Sequence, residues 1–313
     1  MQPVEIDRNN SNRQLLRYCL ILLLILLLSV SSFAQQSQDD DVLRVNTDLV
    51  VVNVTVKDAS GKYAHGLHGS DFKLMEDGRE QTISNFTAEE TPFAAVVLLD
   101  FSGSMESRIT MARSAAIRFL DGLRDEDVAA VYRFDSEVEQ LQDFSPSRDL
   151  APTIFGMRAK GMTVLNDAVL RAAIDLSHRS EKRRAIVVLS DGRDTRSNAS
   201  MDKALTAALS AGITIYTVDM SDPSTSSTQD RMQGTSALRH FAEKSGGRYI
   251  STPGGKALRE AFTSIVEELG NQYTLTYRPQ NPARDGRWRE LEVKLSKPQL
   301  TVRTRKGYRA PKN

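Results

Sequence analysis

Hydrophobic and polar positions divide the chain into zones of different period. Residues 50–56, VVVNVTV, put Val50, Val52, Val54 and Val56 on one face and Val51, Asn53 and Thr55 on the other, the two-residue period of a strand with one strongly apolar face. Asp58 to Lys62 reads as a turn, and Asp77-Gly78 joins Phe72-Lys73-Leu74 to Thr82-Ile83 in a hairpin-like pair. The zone up to Phe86 is therefore all β. From residue 94 the pattern changes to unbroken apolar runs, such as Ala94 to Leu99 and Ala185 to Leu189, separated by helical spacings. Such runs suit parallel strands buried on both faces. The spacing predicts strands at 94–100, 128–134, 138–141, 185–190, 213–218 and 248–250, and helices at 108–121, 166–177, 202–210, 236–245 and 256–269. This alternation predicts an α/β fold with a doubly wound, mostly parallel sheet.

Beyond the last helix, Tyr273, Leu275 and Tyr277, then Leu291, Val293 and Leu295, then Leu300 and Val302 restore the strand period. Neither flank is long enough for a comfortable core of its own. The favoured arrangement pairs the two flanks into one small β-sandwich-like module, built from both chain ends, with the α/β domain inserted in it. Separate packing of the flanks on the α/β domain is the other arrangement.

The first 34 residues read as a targeting segment, because Arg8, Arg13 and Arg17 precede the apolar run Cys19 to Val30 and Ser32-Phe33-Ala34 offers a small-residue cleavage site. The apolar run is shorter than the roughly 20 residues of a spanning helix, so an exported protein, periplasmic or secreted, is expected. An uncleaved signal anchoring it in the inner membrane is the alternative. Residues 35–41, QQSQDDD, read as a solvated linker. The expected organisation is a signal peptide at 1–34, a linker at 35–41, the N-terminal part of the β module at 42–90, the α/β domain at 91–271 and the C-terminal part of the β module at 272–313. Cys19 is the single cysteine, so a cleaved chain would use no disulfide and would take its stability from its core.

Composition adds little. A net charge of +1, with 40% hydrophobic and 26% charged residues, is ordinary for a globular chain and gives no support to nucleic-acid binding. One segment is locally basic: residues 272–313 carry eleven Lys or Arg against three acids. That segment reads either as a solvated outer β face or as a weak contact to an anionic envelope surface through Arg303, Arg305 and Lys306.

The candidate chemistry lies in AAVVLLDFSGSM, residues 94–105. Asp100, Ser102 and Ser104 follow a buried strand at its carboxyl end, where open α/β sheets present ligand-binding residues. One carboxylate and two neutral hydroxyls suit a hard cation, and Mg²⁺ in particular takes only one or two carboxylates from a protein. Two more segments supply further donors. Asp191 ends the run Ala185 to Leu189 in the same way, and Thr163 lies in a loop between Gly161 and a helical pattern. Each motif alone could be a helix cap, since Ser and Asp are favoured there; three motifs in this order at strand ends point to a metal.

Together Asp100, Ser102, Ser104, Thr163 and Asp191 resemble the metal-ion-dependent adhesion site of von Willebrand factor A domains, and match it at all five positions. SALRHFAEKSGGRYI and the helical segment Lys256 to Leu269 agree, so that the resemblance covers roughly residues 90–271. Met162 departs from the family pattern, where many relatives carry a second glycine; it would stiffen the Thr163 loop without removing a ligand. Through VNVTVKDASGK, DFKLMEDGREQTISNF and VRTRKGYRA the chain also resembles bacterial secreted proteins in which β segments flank such a domain. The resemblance implies a non-enzymatic, divalent-metal-dependent protein-binding module of adhesion type. Ser102, Ser104 and Thr163 would coordinate directly, Asp100 and Asp191 would hold waters or the ion, and a partner protein would add an Asp or Glu carboxylate.

Ligand types do not separate Mg²⁺ from Mn²⁺ or Ca²⁺, although their number favours Mg²⁺. A metal-dependent hydrolase, and a structural envelope protein in which the ion only stabilises the fold, are the other readings. The sequence has no Gly-x-Ser-x-Gly elbow, no His-Glu-x-x-His and no Walker loop, and the pair His65 and His68 lacks a third zinc ligand nearby. Asp167 is expected to cap a helix or brace the loop rather than to bind metal, and Asp194 and Asp219 to be surface acids.

Overall fold

The computed structural model describes residues 49–88, 91–150, 152–159, 161–222, 227–252 and 254–312. The expected signal peptide at 1–34, the linker at 35–41 and residues 42–48 of the β module lie outside the described residues. In chain order the first strands are β1 (Val50–Lys57), β2 (Phe72–Glu76), β3 (Arg79–Gln81) and β4 (Ile83–Thr87). The central segment contains β5 (Phe93–Asp100), β6 (Val128–Phe134), β7 (Val138–Ser145), β8 (Arg183–Ser190), β9 (Ile213–Asp219) and β10 (Tyr249–Ser251). Its helices are α1 (Ile109–Asp121), α2 (Leu165–Ser177), α3 (Met201–Ser210), α4 (Thr228–Ser245) and α5 (Gly255–Gly270). The chain closes with β11 (Tyr273–Tyr277), β12 (Trp288–Leu295), β13 (Thr301–Arg303) and β14 (Gly307–Arg309).

The central sheet has six strands in the order β10-β9-β8-β5-β6-β7. All neighbours pair in parallel except β7, which runs antiparallel to β6 along the edge. β5 is central and every one of its residues is buried, which is why its sequence shows no alternation. Phe93, Ala95, Val97 and Leu99 face a core shared with α1 and α5, where the Phe119 and Phe262 rings meet edge to face at 6.4 Å. The alternate residues Ala94, Val96 and Leu98 are equally buried on the other face, on which α2 packs. Since β5 and β8 are adjacent and parallel, Asp100 and Ser190 end side by side. That adjacency founds the site.

Two antiparallel four-stranded sheets, β13-β1-β11-β4 and β14-β12-β2-β3, each combine strands from both ends of the chain. Val52 lies opposite Leu275 in one, and Leu74 opposite Val293 in the other. The sheets meet through Phe72, whose ring is 5.3 Å from Tyr273 and 5.6 Å from Phe86. Tyr277 and Tyr308 both donate to the buried carboxylate of Glu76, at 2.5 and 2.9 Å.

Two details depart from the sequence pattern. Asp77 and Gly78 both have positive φ, the two-residue hairpin turn that fixes the following residues in register; it pairs Glu76 with Arg79, so the hairpin partner of β2 is Arg79–Gln81 and not Thr82-Ile83. Ile83 begins β4, which crosses to the other sheet and pairs with β11. The second departure is in β1, whose polar face is also buried. Asn53 is 8% exposed; its side chain donates to the Gly212 carbonyl at 3.3 Å and accepts from Thr274 at 3.1 Å. The β13-β1-β11-β4 sheet is thus covered on one side by its partner sheet and on the other by the α/β domain.

The basic carboxyl-terminal segment does not form a uniform outer face. Arg305 is buried and donates to the Leu209 carbonyl at 2.6 Å. Arg303 donates to the Gly246 carbonyl and to Glu268 on α5. Glu268 is fully buried and also accepts from Tyr216 at 2.7 Å and pairs with Arg248 at 3.1 Å. These arginines fasten the β module to the α/β domain. Among the described residues, no helix is long and apolar enough to cross a membrane.

Candidate metal centre

The site is built where three loops leave the carboxyl end of the parallel sheet. Asp100 is the last residue of β5 and is fully buried. Its Oδ1 accepts from the Ser102 backbone N–H at 2.8 Å and its Oδ2 from the Ser190 hydroxyl at 2.5 Å. The chain then turns into a short 3₁₀ segment, Gly103–Arg108, that runs into α1. This turn brings the hydroxyls of Ser102 and Ser104 within 3.1 Å of one another. Ser102 is buried, whereas Ser104 is half-buried and opens the site toward solvent.

Thr163 lies in the loop before α2 and is 3% exposed. Its carbonyl accepts from the backbone N–H groups of Thr195 and Arg196, at 2.9 and 3.1 Å, and its own N–H donates to the Thr195 hydroxyl at 2.9 Å. These bonds tie the Thr163 loop to the loop after β8. On its other side the Gly161 carbonyl accepts from Gly103 N–H at 3.2 Å, which ties it to the serine loop. With the Ser190–Asp100 bond, three contacts close a triangle of loops around Asp100, Ser102, Ser104, Thr163 and Asp191. The structure thus joins the three loops that carry these five residues.

Asp191 follows β8 and is 3% exposed. Its Oδ1 accepts from Arg193 N–H and its Oδ2 from Arg193 Nε, both at 3.1 Å. The same guanidinium lies 3.7 Å from Asp230 in the first turn of α4. Burial, joined by the negative charge of Asp191, pushes the Asp100 carboxyl up to about 7, against hydrogen bonds from Ser102 and Ser190 that pull it down. Two buried carboxylates, with Ser102, Ser104 and Thr163 on the same joined loops, form an electronegative cluster, which a small divalent cation would neutralise. The donor set fits such an ion: all oxygens, few charges, one member open to water.

The neighbouring acids have other tasks. Asp167 accepts from the backbone N–H groups of Asn198 and Ala199, at 2.9 and 2.7 Å, and so braces the loop after β8. Asp194 accepts from Asn166 N–H at the start of α2 and from the Ser197 hydroxyl. Asp219 is not a surface acid: it is 5% exposed and accepts from Thr235, Tyr249 and Ser221 N–H.

The sequence pattern did not reveal three supporting residues. Ser190 looks like the end of a strand, yet it holds Asp100 and accepts from Gly192 N–H at 2.9 Å. Arg193 reads as one charge in a loop. Gly234 lies in a half of α4 that was expected to be loop; the helix starts at Thr228, with the Ser227 hydroxyl accepting from Asp230 N–H at 3.1 Å. The cap signature Ser227-x-x-Asp230 was the available signal, but the polar turn TQDRMQGT that follows it has too little apolar content to show a helical face.

The chain aligns with several solved structures. A von Willebrand factor type A protein from Catenulispora acidiphila is 13% identical over 78% of this chain and 74% of that chain, with a TM-score of 0.48. BatB from Bacteroides thetaiotaomicron is 17% identical over 56% of this chain and 98% of that one, with a TM-score of 0.47. The von Willebrand domain of the type V pili tip protein Mfa5 from Porphyromonas gingivalis is 14% identical over 57% and 95% respectively, also with a TM-score of 0.47. A comparison with curated proteins returns no match. Residues 95–262 match the family model for the von Willebrand factor type A domain. That match spans more than half of the chain and contains all five site residues, and the chain belongs to the von Willebrand factor type A domain family.

Proposed function

We propose that the protein is an exported, divalent-metal-dependent protein-binding module, and that it recognises a carboxylate of a partner protein at the carboxyl end of its central sheet. The observation that carries this is the closed triangle of loops, which holds two buried carboxylates and three hydroxyls together at one end of β5 and β8. Ser102, Ser104 and Thr163 would hold the ion directly, with Asp100 and Asp191 binding its waters or the ion itself. Bound Mg²⁺ would supply a Lewis-acidic position at which a partner's Asp or Glu oxygen replaces water. The protein's own residues orient this position: Ser190 fixes the Asp100 carboxylate, the Thr195 and Arg196 N–H groups fix Thr163, and half-buried Ser104 marks the approach.

The engagement of the neighbouring acids favours binding over turnover. Hydrolysis needs a positioned water and commonly a general base, and the acids Asp167, Asp194 and Asp219 are all engaged in bracing loops and helices. The test is capture from an envelope extract with purified protein in Mg²⁺, in chelator, and with Asp100→Ala in Mg²⁺, each bait first shown to be folded. A partner retained only by wild type in Mg²⁺ is expected. Equal recovery in all three contradicts metal-bridged recognition.

A further inference from the structure

Arg193 links one acid of the candidate site to the neighbouring helix. Its guanidinium bonds one carboxylate of the candidate site, Asp191, at 3.1 Å, and stands 3.7 Å from Asp230 on α4. Its side chain is 30% exposed, that of Asp191 4% and that of Asp230 44%. Arg193 therefore spans two acids of unequal burial, one in the site and one on the neighbouring helix. Arginine is suited to this because it stays charged at all relevant pH values.

We infer that Arg193 is a built-in counter-cation, which compensates Asp191 when no metal is present and exchanges to Asp230 when a divalent ion binds. The inference rests on the proposed metal reading. A divalent ion arriving next to Asp191 repels the guanidinium and competes for the same carboxylate oxygens. The displaced side chain needs no new partner, because Asp230 already stands within reach, held at the α4 N-terminus where an acid is favoured. α4 thus senses metal occupancy through one side chain. Two consequences have opposite sign. Removing Arg193 removes the competitor and strengthens metal binding; removing the charge of Asp230 removes the receiving partner and weakens it.

The test is calorimetric titration of Mg²⁺ alone into the purified full chain and into Arg193→Ala, Asp230→Asn and the double variant, with folding of each checked by circular dichroism. Arg193→Ala is expected to bind Mg²⁺ roughly two- to fivefold more tightly than wild type, and Asp230→Asn about two- to fivefold more weakly, the scale of partly exposed charge pairs. In the Arg193→Ala background, Asp230→Asn is expected to lose most of its effect. General damage to the site would weaken binding in every variant, so tighter binding by Arg193→Ala is a result that a purely structural role cannot produce. Binding by wild type with equal or weaker binding by Arg193→Ala overturns the inference and leaves the metal reading standing. Failure of both wild type and Arg193→Ala to bind overturns the metal reading and this inference with it.

Discussion

Gly192 and Gly234 meet backbone to backbone. A β-carbon on Gly192 would lie 2.3 Å from the Gly234 carbonyl oxygen, and one on Gly234 would lie 2.1 Å from the carbonyl oxygen of Asp191. No rotamer relieves an overlap with backbone, so α4 can approach the site only if both positions lack side chains. Gly192 also has φ +80°, a conformation that strains other residues. Alanine at 234 would gain about 1 kcal/mol of helix propensity, but the overlap must move α4 away from the Asp191 loop. Gly234→Ala is therefore expected to lower stability by about 1–3 kcal/mol net, read as a shift in the urea midpoint without a change in slope.

Ser190 is expected to matter almost as much as a ligand. It donates to Asp100 and accepts from Gly192 N–H, so Ser190→Ala frees one carboxylate oxygen and leaves a buried N–H unpaired. Residues that orient metal ligands typically contribute about 10- to 100-fold in affinity. Mg²⁺ titration of Ser190→Ala is expected to show a loss in that range, with the fold intact by circular dichroism. An unchanged affinity would mean that Asp100 is positioned without this hydroxyl.

The pH dependence follows from the buried carboxyl pair. Asp100 is raised to about 7, above its ordinary value, so the metal-free folded protein holds a proton that the unfolded chain releases. Its contribution to stability is complete at low pH and is lost as pH rises through about 7. A bound cation replaces that proton and competes with it. The melting-temperature difference between Mg²⁺ and chelator is accordingly expected to be small near about pH 5.5 and to widen up to about pH 8. A difference that is constant across this range would place the relevant proton elsewhere.

Glu268 is the buried acid that fastens α5 to the β module through Arg303, with Arg248 and Tyr216 also bound to it. Removing one partner of a buried charge group leaves the others uncompensated, at a cost of about 3–5 kcal/mol. Glu268→Ala is expected to fall by that amount in chemical denaturation. Arg305→Met is expected to cost less, because the buried guanidinium meets a carbonyl and the Tyr308 ring rather than a fixed carboxylate.

The legible parts of this chain are those written in local pattern. Unbroken apolar runs announced β5 and β8, and the acids that end them fell at the carboxyl end of the sheet because strand direction alone decides it. Contacts across large separations were not legible. Arg303 and Arg305 read as surface charge, since nothing in VRTRKGY points to Glu268 or to the Leu209 carbonyl. The buried polar face of β1 was hidden for the same reason, because Asn53 finds its partners on Gly212 and Thr274. For Ile83, alternation shows that a strand exists, while the tight Asp77-Gly78 turn decides which strand it joins.

The central claim is that the five residues at the end of β5 and β8 hold a divalent cation, and isothermal titration of Mg²⁺ into chelator-treated wild type, Asp100→Ala and Asp191→Ala tests it most directly. One site per chain in wild type, abolished or weakened by at least about tenfold in each variant, is the result this account requires. Absence of binding by wild type, or equal binding by all three folded proteins, would contradict it.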